Sequence, residues 1–176
     1  MKTVMIVVAV AALGLAAWLF WRGRPVEVPA MAPADRQADT VEVYKAQRRL
    51  ELKRDGQLLQ SYRVALGFAP AEHKEREGDG RTPEGTYLID ARNPRSAFHL
   101  SLRVSYPDER DRARAASLGV PPGGDIYIHG QPNGPRKWFA GHPDKDWTTG
   151  CVAVTDAEMR EIWSLVPTGA RIVIHP

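Results

Sequence analysis

The chain has 176 residues, 43% of them hydrophobic, enough for one domain with a sizeable core. Its net charge of +3 traces to Lys2, Arg22 and Arg24, and beyond residue 24 the basic and acidic side chains balance. A nucleic-acid binder carries its basic residues on the folded domain, so that class is set aside, and no Gly-rich phosphate loop, CxxC pair or HExxH motif is present.

Residues 4–21 run without a charge and end in Trp18, Leu19, Phe20 and Trp21. As a helix this run spans roughly 27 Å, close to the hydrocarbon thickness of a bilayer. Bulky aromatics suit a membrane–water interface better than a small-residue cleavage site. Residues 1–24 are therefore expected to form one uncleaved transmembrane signal-anchor, with the rest of the chain exported across the inner membrane. Residues 25–39, with Pro25, Pro29 and Pro33, read as a flexible tether, and residues 40–176 as the folded domain.

From Val41 the signals are β. Val41 and Val43 alternate with outward residues, and Leu50 to Lys53 lead into Asp55-Gly56, a two-residue hairpin turn. Leu58 to Leu66 is the return strand, with Tyr62, Val64 and Leu66 on one face. Residues 71–85 are polar and glycine-rich and read as a solvated loop. Thr86 to Asp90 and His99 to Val104 are strands, and no role is assigned to His73 or His99. Residues 107–118 form a charge-mixed helix whose charges are expected at the surface, stopped by Gly119. Asp125 to His129 is a short β-branched strand. Residues 131–146 form a long loop that holds Trp138, Phe139 and His142. Thr155 and Glu158 make a capping box for a helix whose Met159, Ile162, Trp163 and Val166 recur at core spacing, and Ala170 to Ile174 is the last strand.

The only cysteine, Cys151, lies in Trp147-Thr148-Thr149-Gly150-Cys151-Val152-Ala153-Val154. A lone cysteine closes no intrachain disulfide; it is a small core residue, an idle thiol or a nucleophile. Two hydroxyls and a glycine just before it could surround the sulfur with donors, and an apolar run behind it would anchor it. His129 stands at the end of a strand, and an adjacent imidazole is the usual means of activating a thiol. A buried core cysteine beside a satisfied strand-end histidine fits the same residues.

Four segments, taken in order, resemble the L,D-transpeptidase catalytic domain (YkuD-type). They are the hairpin from Val41 to Leu66, the loop Gly78-Asp79-Gly80-Arg81-Thr82-Pro83-Glu84-Gly85-Thr86-Tyr87, the strand Ile126-Tyr127-Ile128-His129-Gly130, and Thr148-Thr149-Gly150-Cys151. The resemblance covers residues 41–175. It implies a mainly β sandwich of two sheets with short helices, and action on peptidoglycan stem peptides in the periplasm, with consequences for cell-wall organisation and cell shape. It places the nucleophile on Cys151, the general base on His129, and the carbonyl that orients the imidazole on or beside Gly130. Thr148, Thr149, Gly150, His142 and Arg81 become candidate substrate-binding residues; no metal and no cofactor is implied. The chain departs from the family pattern at Thr149, where histidine is usual, at Ala153, where arginine is usual, and in the 22-residue spacing from His129 to Cys151. The expected activity is a peptidoglycan L,D-transpeptidase. The alternatives are an L,D-carboxypeptidase or amidase that hydrolyses peptidoglycan or its links to lipoproteins, and a non-catalytic peptidoglycan-binding module. A metal hydrolase built on His129, His142 and Asp144 or Asp146 fits no familiar ligand spacing.

Overall fold

The computed structural model describes residues 27–134 and 144–176. The expected anchor over 1–24 lies outside the described residues, as does His142; among the described residues no helix is long and apolar enough to cross a membrane.

Alternating burial builds the first half of the sheet. β1 (Thr40–Tyr44) buries Val41 and Val43 against Leu52 and Leu50 of the antiparallel β2 (Arg49–Arg54). Fully burying such an aliphatic side chain is worth about 1.5–3 kcal/mol. The Asp55-Gly56 turn leads to β3 (Gln57–Arg63), where Leu58 and Leu59 stay exposed. On its other side β1 pairs in parallel with β8 (Arg171–His175). β4 (Gly85–Ser96) then carries the sheet across to β5 (His99–Val104), and β6 (Tyr127–His129) and β7 (Val152–Ala153) complete the order β3-β2-β1-β8-β4-β5-β6-β7.

The two expected sheets are thus two halves of one. β4 belongs to both: Gly85 to Leu88 pair with β8, and Ile89 to Ser96 pair with β5. Register shifts at Ile89/Ala91 and Asn93/Ser96 let a twelve-residue strand bend that far. The second half of β4 is polar and contains Pro94, which hid it from a hydrophobic-pattern reading. The sheet also closes on itself. Ala65 and Ala153 exchange both backbone hydrogen bonds, at 2.9 and 2.8 Å, so the chain just past β3 meets β7. That closure places the residues around Cys151 against those after Tyr62.

Two helices complete the fold. α1 (Glu109–Ser117) starts at a capping box between Asp108 and Asp111. Asp111 is not a surface charge as expected: it is buried, accepts a 3.0 Å hydrogen bond from the Tyr87 hydroxyl and sits 3.1 Å from His73 Nε2. His73 Nδ1 lies 3.0 Å from the Glu84 backbone nitrogen and 3.1 Å from the Glu84 carbonyl oxygen, so both sides of the ring are held. α2 (Asp156–Leu165) has the predicted Thr155–Glu158 capping box and buries Met159, Ile162 and Trp163. Residues 32–38, at the end of the expected tether, lie against α2. The Ala32 and Ala38 N–H groups each donate at 2.8 Å to carbonyls at the end of α2, Ser164 and Leu165, and Ala38 is buried. Proline and alanine left the stretch without a hydrophobic pattern, but backbone groups dock it.

Candidate active site

β6 lies between β5 and β7, antiparallel to the first and parallel to the second. Ile128 pairs with Val152, and both face the core; alternation puts Tyr127, His129 and Cys151 on the other face. There they line one cavity of about 460 Å³ together with Phe98, Ser101 and Trp147.

His129 is buried. Its ring lies 4.6 Å from Phe98 and 5.7 Å from Trp147, centroid to centroid, the latter edge-on. Nδ1 is 2.7 Å from the Gly130 carbonyl. A carbonyl only accepts, so Nδ1 holds the proton and Nε2 is the lone-pair nitrogen of the neutral ring. Burial lowers the imidazole pKa below its ordinary 6.5, and the Gly130 bond opposes that shift.

Cys151 is half-buried, and its thiol donates to the Asp125 carbonyl at 3.4 Å. Burial pushes the thiol up to about 11; a backbone hydrogen bond at Tyr127 pulls it down and the Asp125 carboxylate pushes it further up. In this state the sulfur is therefore a thiol, turned to a main-chain acceptor in the cavity it shares with His129.

The turn before Cys151 is held from two sides. Asp146 accepts the Leu66 N–H at 2.9 Å and pairs with Arg48 at 2.8 Å, which fixes it as a strut for the turn. The Thr148 hydroxyl donates to the Cys151 carbonyl at 2.8 Å and accepts the Gly150 N–H at 3.1 Å. Thr148 borders the cavity, and its hydroxyl proton folds the turn. Thr149 is exposed at the rim of the same cavity. Gly150 adopts φ +136°, and a Cβ on it would lie 2.6 Å from the Arg81 carbonyl.

Arg81 therefore meets the site through its backbone. Its guanidinium pairs with Glu72 at 2.8 Å and Glu75 at 3.1 Å, and it is not among the described residues that line the thiol cavity. The loop around it is pinned rather than solvated. Asp79 takes the N–H groups of Glu75, Arg76 and Arg81 and the Lys74 ammonium. Burial alone would raise the Asp79 carboxyl, but these four donors outweigh it and hold it below the usual range. Buried Lys45 ties the loop to β1 through Glu84 at 2.6 Å and the Thr82 carbonyl at 3.1 Å.

The sequence reading missed Phe98, Ser101, Asp125, Tyr127 and Trp147 as cavity residues. Tyr127 was findable, two positions before His129 on one strand face. Asp125 stands on the same segment and Trp147 in the cysteine stretch, whereas Phe98 and Ser101 join them through the pairing of β5 with β6.

Fold and site together define a mainly β domain with a thiol and a carbonyl-oriented imidazole in one cleft. The chain belongs to the L,D-transpeptidase catalytic domain family, YkuD, whose sequence profile matches residues 38–174. YafK of Escherichia coli (strain K12), named for the L,D-transpeptidases, is 27% identical over 142 residues, 77% of this chain and 50% of YafK. Among solved structures, the helical cell shape determining protein Pgp2 of Campylobacter jejuni matches with a TM-score of 0.59 at 22% identity, over 77% of this chain and 46% of that one. Bd1075 of Bdellovibrio bacteriovorus matches with a TM-score of 0.55 at 21% identity, over 86% and 52%. These two share the fold, and the chain spans about half the length of each of the three relatives.

Proposed function

We propose that the protein is a peptidoglycan L,D-transpeptidase, anchored in the inner membrane by residues 1–24 with the domain in the periplasm. One observation carries this reading: the parallel pairing of β6 with β7 puts Cys151 and a carbonyl-oriented His129 on the walls of one cavity. A binding module requires neither group.

The reaction follows from the protonation states. With the thiol pushed up to about 11, no standing thiolate awaits substrate, so proton transfer accompanies attack. Cys151 leaves the Asp125 carbonyl and gives its proton to His129 Nε2, while the sulfur adds to the amide carbonyl between diaminopimelate and D-Ala. The Gly150 N–H already serves Thr148, and the Cys151 N–H beside the sulfur is assigned the oxyanion in this mechanism. One such donor is worth about 3–4 kcal/mol in well-studied hydrolases. The carbon–nitrogen bond breaks, the imidazolium protonates the leaving D-Ala amine, and a thioester remains. An amine from a second stem or a protein then attacks, His129 takes its proton, and the thiol is restored with a new amide.

The test is intact-mass detection of a covalent carbapenem adduct, followed by muropeptide analysis. Wild type is expected to acylate, Cys151→Ala not at all, and His129→Ala more slowly by about 10²- to 10⁴-fold. An adduct on Cys151→Ala refutes the nucleophile, and wild-type rates in His129→Ala refute the base. Cross-linked dimers support transpeptidation; stems trimmed of D-Ala with no dimer would make the enzyme a hydrolase instead.

A further inference from the structure

The carbonyl that orients His129 belongs to a peptide unit whose other end is also held. Gly130 O accepts from His129 Nδ1 at 2.7 Å, and the N–H of the same peptide, on Gln131, donates to Asp156 Oδ1 at 2.8 Å. The chain of groups runs from carboxylate to N–H, through the amide to C=O, and on to the imidazole N–H. We propose that Asp156, the first residue of α2, is a positioning residue for His129 that acts through the Gly130–Gln131 peptide.

Three further observations fit. A Cβ at Gly130 would lie 2.8 Å from Asp156 Oδ1, so glycine at this position is what lets the carboxylate approach the peptide. The peptide is fixed around that contact: Gly130 N–H donates to the Phe98 carbonyl, the Gln131 side chain donates to Val154 O at 3.0 Å, and Val154 N–H donates to His129 O at 3.0 Å. Asp156 itself is held by α2, whose capping box at Thr155 sets the start of the helix. A carboxylate on the N–H end of an amide polarises it and places more negative charge on the carbonyl oxygen. That oxygen then binds the Nδ1 proton more strongly and favours the imidazolium that forms when Cys151 is deprotonated. The amide transmits the charge without a direct carboxylate–histidine contact.

Among the described residues, the other ionisable groups near His129 are Cys151, Tyr127 and Asp125 in the cavity, His99 on β5 beside Gly130, and Arg160 of α2, which lies 3.4 Å from His99. Of these and Asp156, Asp156 alone bonds the peptide that His129 uses.

The proposal rests on the role given to His129 above, but its test needs neither turnover nor substrate. The His129 ring is titrated by NMR in the full chain and in Asp156→Asn, which keeps an oxygen acceptor and removes the charge. Loss of the charge is expected to move the His129 titration to lower pH, because the imidazolium loses support. The acidic limb of carbapenem acylation moves the same way, and the plateau rate falls roughly tenfold as the base weakens. A structural role alone lowers the plateau without moving either titration. An Asp156→Asn protein whose His129 titrates at the wild-type midpoint overturns the proposal. Should that variant not fold, wild type decides: the Asp156 carboxyl carbon and the Gln131 amide must both show an inflection at the His129 midpoint, and their absence refutes the coupling. An intact inflection beside a failed acylation assay would sink the catalytic reading and leave this coupling standing.

Discussion

Replacing Gly150 by alanine tests whether the 78–85 loop and the thiol turn form one rigid unit. Two costs add. At φ +136° an L side chain is strained, worth about 1–3 kcal/mol. The new Cβ would lie 2.6 Å from the Arg81 carbonyl and 3.1 Å from Ile126 Cδ1. The first neighbour is backbone in a loop pinned by Asp79 and Lys45, so it yields little, and such overpacking costs a further ~1–3 kcal/mol. The expected loss of about 2–6 kcal/mol is a large part of the ~5–15 kcal/mol that holds a typical domain together. In urea, with a slope near 2 kcal/mol per molar, the unfolding midpoint of Gly150→Ala should fall by about 1–3 M. Alkylation of Cys151 in the folded variant should also quicken as the turn opens. A wild-type midpoint with a wild-type alkylation rate would show that the Arg81 carbonyl does not confine this turn, and the structural role given to the loop would fail.

Two further predictions follow from the charges. Arg81→Ala should cost under about 1 kcal/mol, since its partners Glu72 and Glu75 are solvent-accessible, and should leave carbapenem acylation within about twofold of wild type; a large kinetic loss would return Arg81 to the substrate site. Stability should fall at both ends of the pH range. His129, lowered by burial, binds its proton more readily unfolded, so its contribution is lost as pH drops below 6.5; Cys151, raised from 9.0 to about 11, loses its contribution as pH climbs through that window. Urea midpoints at stepped pH should show the alkaline loss shrinking in Cys151→Ala and the acid loss shrinking in His129→Gln, and parallel curves for variants and wild type would refute the assigned burial.

What the sequence made legible was local. Val41, Val43, Leu50 and Leu52 alternate within their own strands, and Thr155 with Glu158 caps a helix whose apolar stripe lies in a ten-residue window. His129 and Cys151 stood out because one closes a strand and the other has no partner of its kind. What stayed hidden depends on contacts between distant segments. Asp156 looks like any acidic residue in a first helical turn until the fold brings it to Gln131, 25 positions away. Asp111 looks like one charge among many in a solvated helix until Tyr87 and His73 meet it. Trp147 and Phe98 become facing walls only when β5 and the thiol turn flank the same strand.

The departures at Thr149 and Ala153 bear on selectivity once the cavity is considered as a charged surface. Ala153 is fully buried, paired with His129 across the ladder and bonded through both backbone groups to Ala65, so a long cation at this position would have to displace its surroundings. Arg81 is paired elsewhere. Among the described residues, the walls around Cys151 carry no lysine or arginine, and Asp125 is their one carboxylate. On the proposed reaction this field treats the two amine-bearing species differently. The leaving D-Ala carries a carboxylate that Asp125 repels, whereas a side-chain amine arriving as an ammonium is drawn to the same group. Asp125 is solvent-exposed, so added salt should screen this preference. On the proposed reaction, dimers should therefore outlast added free D-Ala in the muropeptide assay; ready reversal by D-Ala at concentrations comparable to the acceptor stem would contradict this assignment of charge.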